Sequence, residues 1–246
     1  MEFRLQRHDA VVSTNALVKE ALEAGAPEGL VVRSAVQSGG YGRQGRRWSS
    51  PAGGLYQSLL LRPVAPMPQL PTLGLVVALA MVRALGEAAP AAAGVLQVKW
   101  PNDVMADGAK MVGISCEGHG GGLCIGTGVN VMRPAEEAPL GGKNRPAYLE
   151  DYLPEGADGS TVDAVGDGFL AQFAADYALW QRCGFEAFAD EYRRRHCLEG
   201  RAVKLALPDG TPLGGGTVRG IDGSGCLVVD DGCGLRPYAS GEVHIL

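Results

Sequence analysis

A chain of 246 residues with a formal net charge of -5 and a pI near 5.4 can bury one large core and carry a small appended domain. Apolar residues at 46% and charged residues at 20% place it among globular chains, and the acidic balance argues against a general nucleic-acid binder, which needs a clustered basic excess. The charge-interrupted N-terminus lacks a signal-peptide core, no run of about 18 apolar residues occurs, and the six scattered cysteines contain no CxxC; a cytoplasmic chain with free thiols and no membrane partner is expected.

In chain order, Ser13 to Ala24 opens with Ser-Thr-Asn capping residues and continues with a helical apolar face at Ala16, Leu17, Ala21 and Leu22. Leu30 to Gln37 and Leu55 to Arg62 are strand-like runs, and Leu70 to Ala88, Ala/Leu/Val-rich behind prolines, suits a buried helix. Three more strand-like runs follow, Val95 to Lys99, Lys110 to Glu117 and Leu123 to Met132, then an irregular connection from Arg133 to Gly159. Helical spacing returns over Thr161 to Trp180 and Phe185 to His196. Beyond Leu198 five short β-like runs separated by Gly/Asp turns predict a small closed or half-closed barrel, so the expected domains are 1–197 and 198–246.

The loop Ser38 to Trp48, SGGYGRQGRRW, holds a literal GxGxxG at Gly40, Gly42 and Gly45. A dinucleotide fingerprint must open into a helix and be followed about 20 residues later by an acid. This loop runs instead into RRWSSPAGG, with no acid before Glu87. Arg43, Arg46 and Arg47 alternating with glycines suit a different use, an anion wrapped by cations and close backbone N–H groups.

Four segments occur in a telling order: Ser13-Thr14-Asn15, the glycine-rich loop, KWPNDV (Lys99 to Val104) and KMVGISCEG (Lys110 to Gly118). With GTGVNV (Gly126 to Val131) and the closing ASGEVHIL, they make the chain resemble bacterial biotin protein ligases over nearly its whole length. The resemblance implies an α+β fold: a mixed-sheet, class II synthetase-like catalytic domain followed by an SH3-like β-barrel. It also implies ATP with Mg²⁺ and biotin as substrates, formation of biotinyl-5'-AMP, and transfer to a lysine on the biotin carrier domain of a carboxylase. Many relatives add a winged-helix DNA-binding domain; here the first helix starts near residue 13, so the form without it, and no DNA partner, is expected. Edge strands of the central sheet could pair two copies in a homodimer.

The resemblance assigns Arg43 and Lys110 to the reacting acyl-phosphate region. It assigns Ser13, Thr14, Asn15, Gln37, Tyr41, Gly42 and Gly113, with those two cations, to biotin. It assigns Arg46, Trp48, Lys99, Asn102, Asp103 and Asn130 to the nucleotide, and no metal site built from protein ligands alone. The chemistry agrees: a carboxylate and an α-phosphate repel until cations neutralise them, a ureido group needs polar partners in a dry pocket, and adenine favours an aromatic face. Capping of the first helix is the simpler use of Ser13 and Thr14. Tyr41 stands where the family's GRGRxGRxW loop carries an arginine; tyrosine keeps a donor but loses the charge, so a weaker grip on the intermediate is expected. A lipoate ligase would share the fold and the adenylate chemistry but needs no Ser/Thr/Gln cluster. A non-catalytic biotin sensor would have lost Arg43, Arg46 and Lys110, all of which are present.

Overall fold

Strand β1 (Arg4–Val11), helix α1 (Thr14–Glu23), β2 (Leu30–Gln37), β3 (Leu55–Leu61) and helix α2 (Leu73–Ala88) lead into β4 (Leu96–Lys99), β5 (Asp103–Ala106), β6 (Ala109–His119) and β7 (Gly122–Val129) in the computed structural model, which describes residues 1–135 and 145–246. These strands form one sheet in the order β1-β2-β3-β7-β6-β5-β4. The pair β1–β2 is parallel and the other neighbours are antiparallel, which makes the sheet mixed.

Strand alternation divides the side chains between two layers. Val31, Leu59, Leu61 and Ile125 enter the main core with α2 and with Phe169, Phe173 and Trp180 of α3 (Ser160–Cys183). Val32, Leu60 and Cys124 join a smaller cluster with Val18 and Leu22 of α1. The segment Met67–Ala88 has the length and mean hydropathy, 1.5, of a membrane-crossing helix. Here it is the core helix, with Leu73, Val76, Val77, Leu79 and Leu85 fully buried.

Two strands were not anticipated. β1 is an edge strand whose Arg4, Gln6, Arg7, His8 and Asp9 read as a charged leader, and charge is what an uncovered edge carries. β5 is four residues long and is recognisable only once it pairs with β4 and β6. Of the connection expected over 133–159, residues 136–144 lie outside the described residues; residues 149–152 form a short 3-10 turn.

After α4 (Glu186–Arg195), strands β8 (Ala202–Ala206), β9 (Pro212–Ile221), β10 (Leu227–Asp230), β11 (Leu235–Tyr238) and β12 (Glu242–Ile245) form an antiparallel sheet ordered β11-β10-β9-β8-β12, of the SH3-like barrel type. Its Val203, Leu205, Val218, Leu227 and Val229 are continuous with the main core. Two hydrogen bonds fix it to the larger sheet's side: Trp100 Nε1 donates to the Gly225 carbonyl at 3.1 Å, and Arg193 Nε to the Ile221 carbonyl at 3.0 Å. β12 is thereby held against the end of the larger sheet, where it walls a cleft.

Candidate active site

That cleft has a volume of about 990 Å³ and is lined from the glycine-rich loop, the start of α1, β4 to β7 and β12. It gathers Thr14, Asn15, Gln37, Tyr41, Gly42, Arg43, Arg46, Trp48, Lys99, Asn102, Asp103, Lys110, Gly113 and Asn130. Ser13 is the exception among the expected residues. It is buried as the cap of α1, its Oγ accepting from Ala16 N at 3.4 Å, and it does not line the cleft. The cap uses one lone pair of the Ser13 hydroxyl and leaves its proton free to donate, so capping and ligand contact are compatible at this helix start.

One end of the cleft is neutral and polar. The Thr14 amide and hydroxyl both donate to Gln37 Oε1, at 2.8 and 3.1 Å, and Gln37 Nε2 donates to Ser50 Oγ at 2.9 Å. Ser58 Oγ lies 2.7 Å from Thr14 Oγ1 and 2.6 Å from Asn15 Oδ1, and Asn15 Nδ2 donates to Ser115 Oγ at 3.2 Å. Thr14, Asn15, Ser58 and Ser115 are all buried. Hydroxyls and amides that satisfy one another out of water can re-aim toward a ligand presenting both N–H and C=O, because each keeps a spare lone pair or proton.

The other end is cationic. Arg43 Nη1 donates to Asn102 Oδ1 at 3.0 Å, and Asn102 Nδ2 donates to the Ile114 carbonyl at 2.9 Å, so the asparagine ties the arginine to β6. Burial lowers the pKa of Arg43 from the usual guanidinium value, with Asp103 opposing the shift; a guanidinium remains charged regardless. Lys110 Nζ sits 2.7 Å from Asp103 Oδ1, and Asn130 Nδ2 donates to the Lys110 carbonyl at 3.3 Å. Arg46 forms an ion pair with Glu242 of β12, joining the loop to the last strand. The loop is a tight hairpin, with Gly42 N bonded to Arg46 O at 2.8 Å and Trp48 N to Gly40 O at 2.9 Å, and it leads to no helix as a dinucleotide fingerprint would.

Between the two ends lies Trp48. Gly113 and Gly128 are cross-strand partners on β6 and β7, and a Cβ on either would stand 2.7 and 2.5 Å from the indole. A Cβ on Gly126 would stand 2.3 Å from Asn15 Oδ1. The floor of the cleft is therefore glycine because an aromatic ring and a helix start lie directly on it. Lys110 Nζ stands 5.3 Å from the centre of the Trp48 ring, within cation–π range.

Ser58, Ser115 and Glu242 were not foreseen. Ser58 and Ser115 leave a faint signal, a lone hydroxyl among the apolar residues of LYQSLLL and in the alternating KMVGISCEG. Glu242 leaves none, since its partner is supplied from the other domain by the fold.

Residues 9–130 match the model of the biotin/lipoate A/B protein ligase family, and residues 200–246 match that of the biotin protein ligase C-terminal domain. The chain is 35% identical over 219 residues to the biotin--[acetyl-CoA-carboxylase] ligase of Paracoccus denitrificans, covering 84% of this chain and 86% of that one. It is 30% identical over 247 residues to the bifunctional ligase/repressor BirA of Bacillus subtilis, covering 97% and 73% respectively. Among solved structures, the biotin protein ligase of Aquifex aeolicus in complex with biotin and ATP superimposes with a TM-score of 0.83 at 27% identity, covering 99% of this chain and 98% of that one. On these matches the chain belongs to the biotin/lipoate A/B protein ligase family, and within it to the biotin protein ligases.

Proposed function

We propose that the cleft binds biotin and ATP, joins them as biotinyl-5'-AMP, and then passes the biotinyl group to a lysine of a carrier domain such as that of acetyl-CoA carboxylase. The observation that carries this reading is the polarity of one cleft: an uncharged hydrogen-bond network at Thr14, Asn15, Gln37 and Ser115, backed by the buried Ser58 hydroxyl, and the cations Arg43, Arg46 and Lys110 at the other end. The first end suits the ureido group. The second suits a carboxylate meeting a triphosphate.

In the first step a biotin carboxylate oxygen attacks the α-phosphorus of ATP and pyrophosphate leaves. Arg43 and Lys110 neutralise the approaching anions, and Arg46 exchanges Glu242 for a phosphate. Such preorganised charges favour the transition state because they are in place before the charge develops. Trp48 offers an aromatic face for adenine beside the edges of Asn130 and Lys99. Magnesium enters with the nucleotide as part of the substrate; it needs only one or two carboxylates besides phosphate and water, and Asp103 and Glu242 are on the cleft wall. In the second step the carrier's lysine amine attacks the acyl carbon, AMP leaves, and an amide remains.

The domains proposed are a catalytic unit over 1–197 and a barrel over 198–246, with β12 of the second completing the cleft of the first. The six free cysteines fit a reducing cytoplasm. If two copies pair through the main sheet, β1 is the edge available, because β4 is bridged at Val98 by His196. Incubation with biotin, MgATP and a biotin carrier domain tests the reading: mass spectrometry should find one carrier lysine biotinylated, and an unmodified carrier would contradict it.

A further inference from the structure

Besides the Arg43–Asn102 and Arg46–Glu242 contacts, the glycine-rich loop is fastened at a further point, Tyr41. Lys19 projects from α1, and its Nζ lies 2.5 Å from Glu117 Oε2 of β6 and 5.2 Å from the centre of the Tyr41 ring. Glu117 Oε1 in turn accepts from Asn15 Nδ2 at 3.5 Å, and Asn15 belongs to the polar end of the cleft. One ammonium group therefore joins three elements: the helix that opens the pocket, the strand beneath it, and the loop that crosses it.

We infer that Lys19 is a positioning residue which clasps the loop at Tyr41 over the polar end of the cleft and so sets how long the biotinyl adenylate stays bound. It does not line the cleft, so it acts through Tyr41 and Glu117. Three observations support this. Lys19 and Glu117 are each less than one-third exposed, at 23% and 28%, so their attraction is less screened than that of a surface pair. Burial alone would lower the lysine pKa, yet it is raised, by the hydrogen bond to Glu117 first and by Tyr41 after it, in keeping with the geometry of the clasp. The loop has no regular helix or strand of its own beyond one 3-10 turn and the Tyr41–Arg47 bridge, so side-chain fastenings decide its position. Tyr41 is also where this loop carries no arginine of its own, and the cation absent from position 41 stands beside it on α1.

The role is distinct from that of Arg43, Arg46 and Lys110. Those residues face the anions; Lys19 faces an aromatic ring and a carboxylate behind them. Loss of its charge leaves the reacting groups in place and loosens the cover. Lys19→Met keeps the length and apolar stem of the side chain and removes only the ammonium, whereas Lys19→Arg keeps a cation able to stack on tyrosine and pair with glutamate.

The inference rests on the adenylate-forming reading above, and the test separates the two. Radiolabelled biotinyl adenylate is formed on the full-length protein and its release is followed after a chase with excess unlabelled biotin and ATP. Lys19→Met should release it about 10-fold faster, the scale of one partly buried cation–π contact with its ion pair. Lys19→Arg should stay within about 2-fold of the unsubstituted protein, because both contacts survive the exchange. Tyr41→Leu should also speed release, and adding Lys19→Met to it should bring little more, since the two residues act as one clasp. Tyr41→Arg should fail to slow release while Lys19 is present, because two cations would then share Glu117, but should slow it in the Lys19→Met background. Release unchanged in Lys19→Met, or effects of Lys19→Met and Tyr41→Leu that multiply, would overturn the clasp. No adenylate on the unsubstituted protein would instead overturn the proposed function.

Discussion

Lys110 on β6 and Asp103 on β5 form an ion pair at 2.7 Å on the wall of the cleft, with both side chains partly shielded from water. The lysine is thus held in place before any anion arrives, and an incoming triphosphate meets an oriented ammonium rather than a mobile one. Lys110→Ala should lower adenylate formation by about 100-fold or more, the scale for losing one preorganised charge-stabilising donor. Biotin-dependent adenylate formation in a single turnover, with circular dichroism to check the fold, measures this. A near-normal rate would remove Lys110 from the chemistry.

The Arg46–Glu242 pair gives the last strand a hold on the glycine-rich loop. Glu242→Gln should leave the loop more open to trypsin at Arg43, Arg46 and Arg47. The rate of nicking should rise about 2- to 5-fold, as expected for a pair with its arginine in solvent, worth about 0.5–1 kcal/mol. MgATP with biotin should protect both proteins, because phosphates then replace Glu242 as the partner of Arg46. Equal nicking of the two apo proteins would show that the pair does not order the loop.

Gly128 and Gly113 leave no room for a side chain under Trp48. Gly128→Ala would push the indole off the sheet, at a cost of about 1–3 kcal/mol for overpacking. Weaker ATP binding and a red-shifted tryptophan emission are expected together. Unchanged emission and ATP affinity would show that Trp48 can shift without consequence.

His196 supplies a pH dependence. It is buried, packs against Tyr192 with ring centres 5.6 Å apart and the rings tilted by 39°, and has no hydrogen-bond partner on either ring nitrogen among the described residues. Burial lowers its pKa from 6.5 to about 4. The unfolded chain therefore takes up this proton first as the pH falls, and the stability tied to the neutral ring, complete above pH 6.5, is lost progressively down to about pH 4. Between pH 7 and 5 the loss is on the order of 2 kcal/mol. Urea unfolding of His196→Phe should show that much less acid sensitivity over this interval, and parallel curves for the two proteins would contradict the assignment.

The strands facing the core were legible because their apolar runs end at Gly/Pro/Asp turns, and β2 begins and ends where the run does. The motifs that converge on the cleft were legible because their strings are unusual, KWPND above all. Pairings made only by the fold were not. Lys19 on α1 reads as an ordinary solvated helix lysine, and nothing near it in sequence announces Glu117 or Tyr41. The reach of Glu242 to Arg46 is likewise a product of docking two sheets. At Ser13 and Thr14 the sequence leaves two uses open for a local reason: the residue type that contacts a ligand at a helix start is the same type that caps it, and the coordinates show that Ser13 is the cap while Thr14 lines the cleft.

Formation of biotinyl-5'-AMP in this cleft is read out by exchange of labelled pyrophosphate into ATP on the purified protein. Because adenylate formation is reversible on the protein, exchange should appear with biotin and MgATP, need no carrier domain, and fall to background without biotin. Lipoate should not replace biotin, since it has no ureido group for the Thr14, Asn15 and Gln37 network to hold. Exchange that is absent with biotin, or supported equally by lipoate, would contradict the assignment of this cleft.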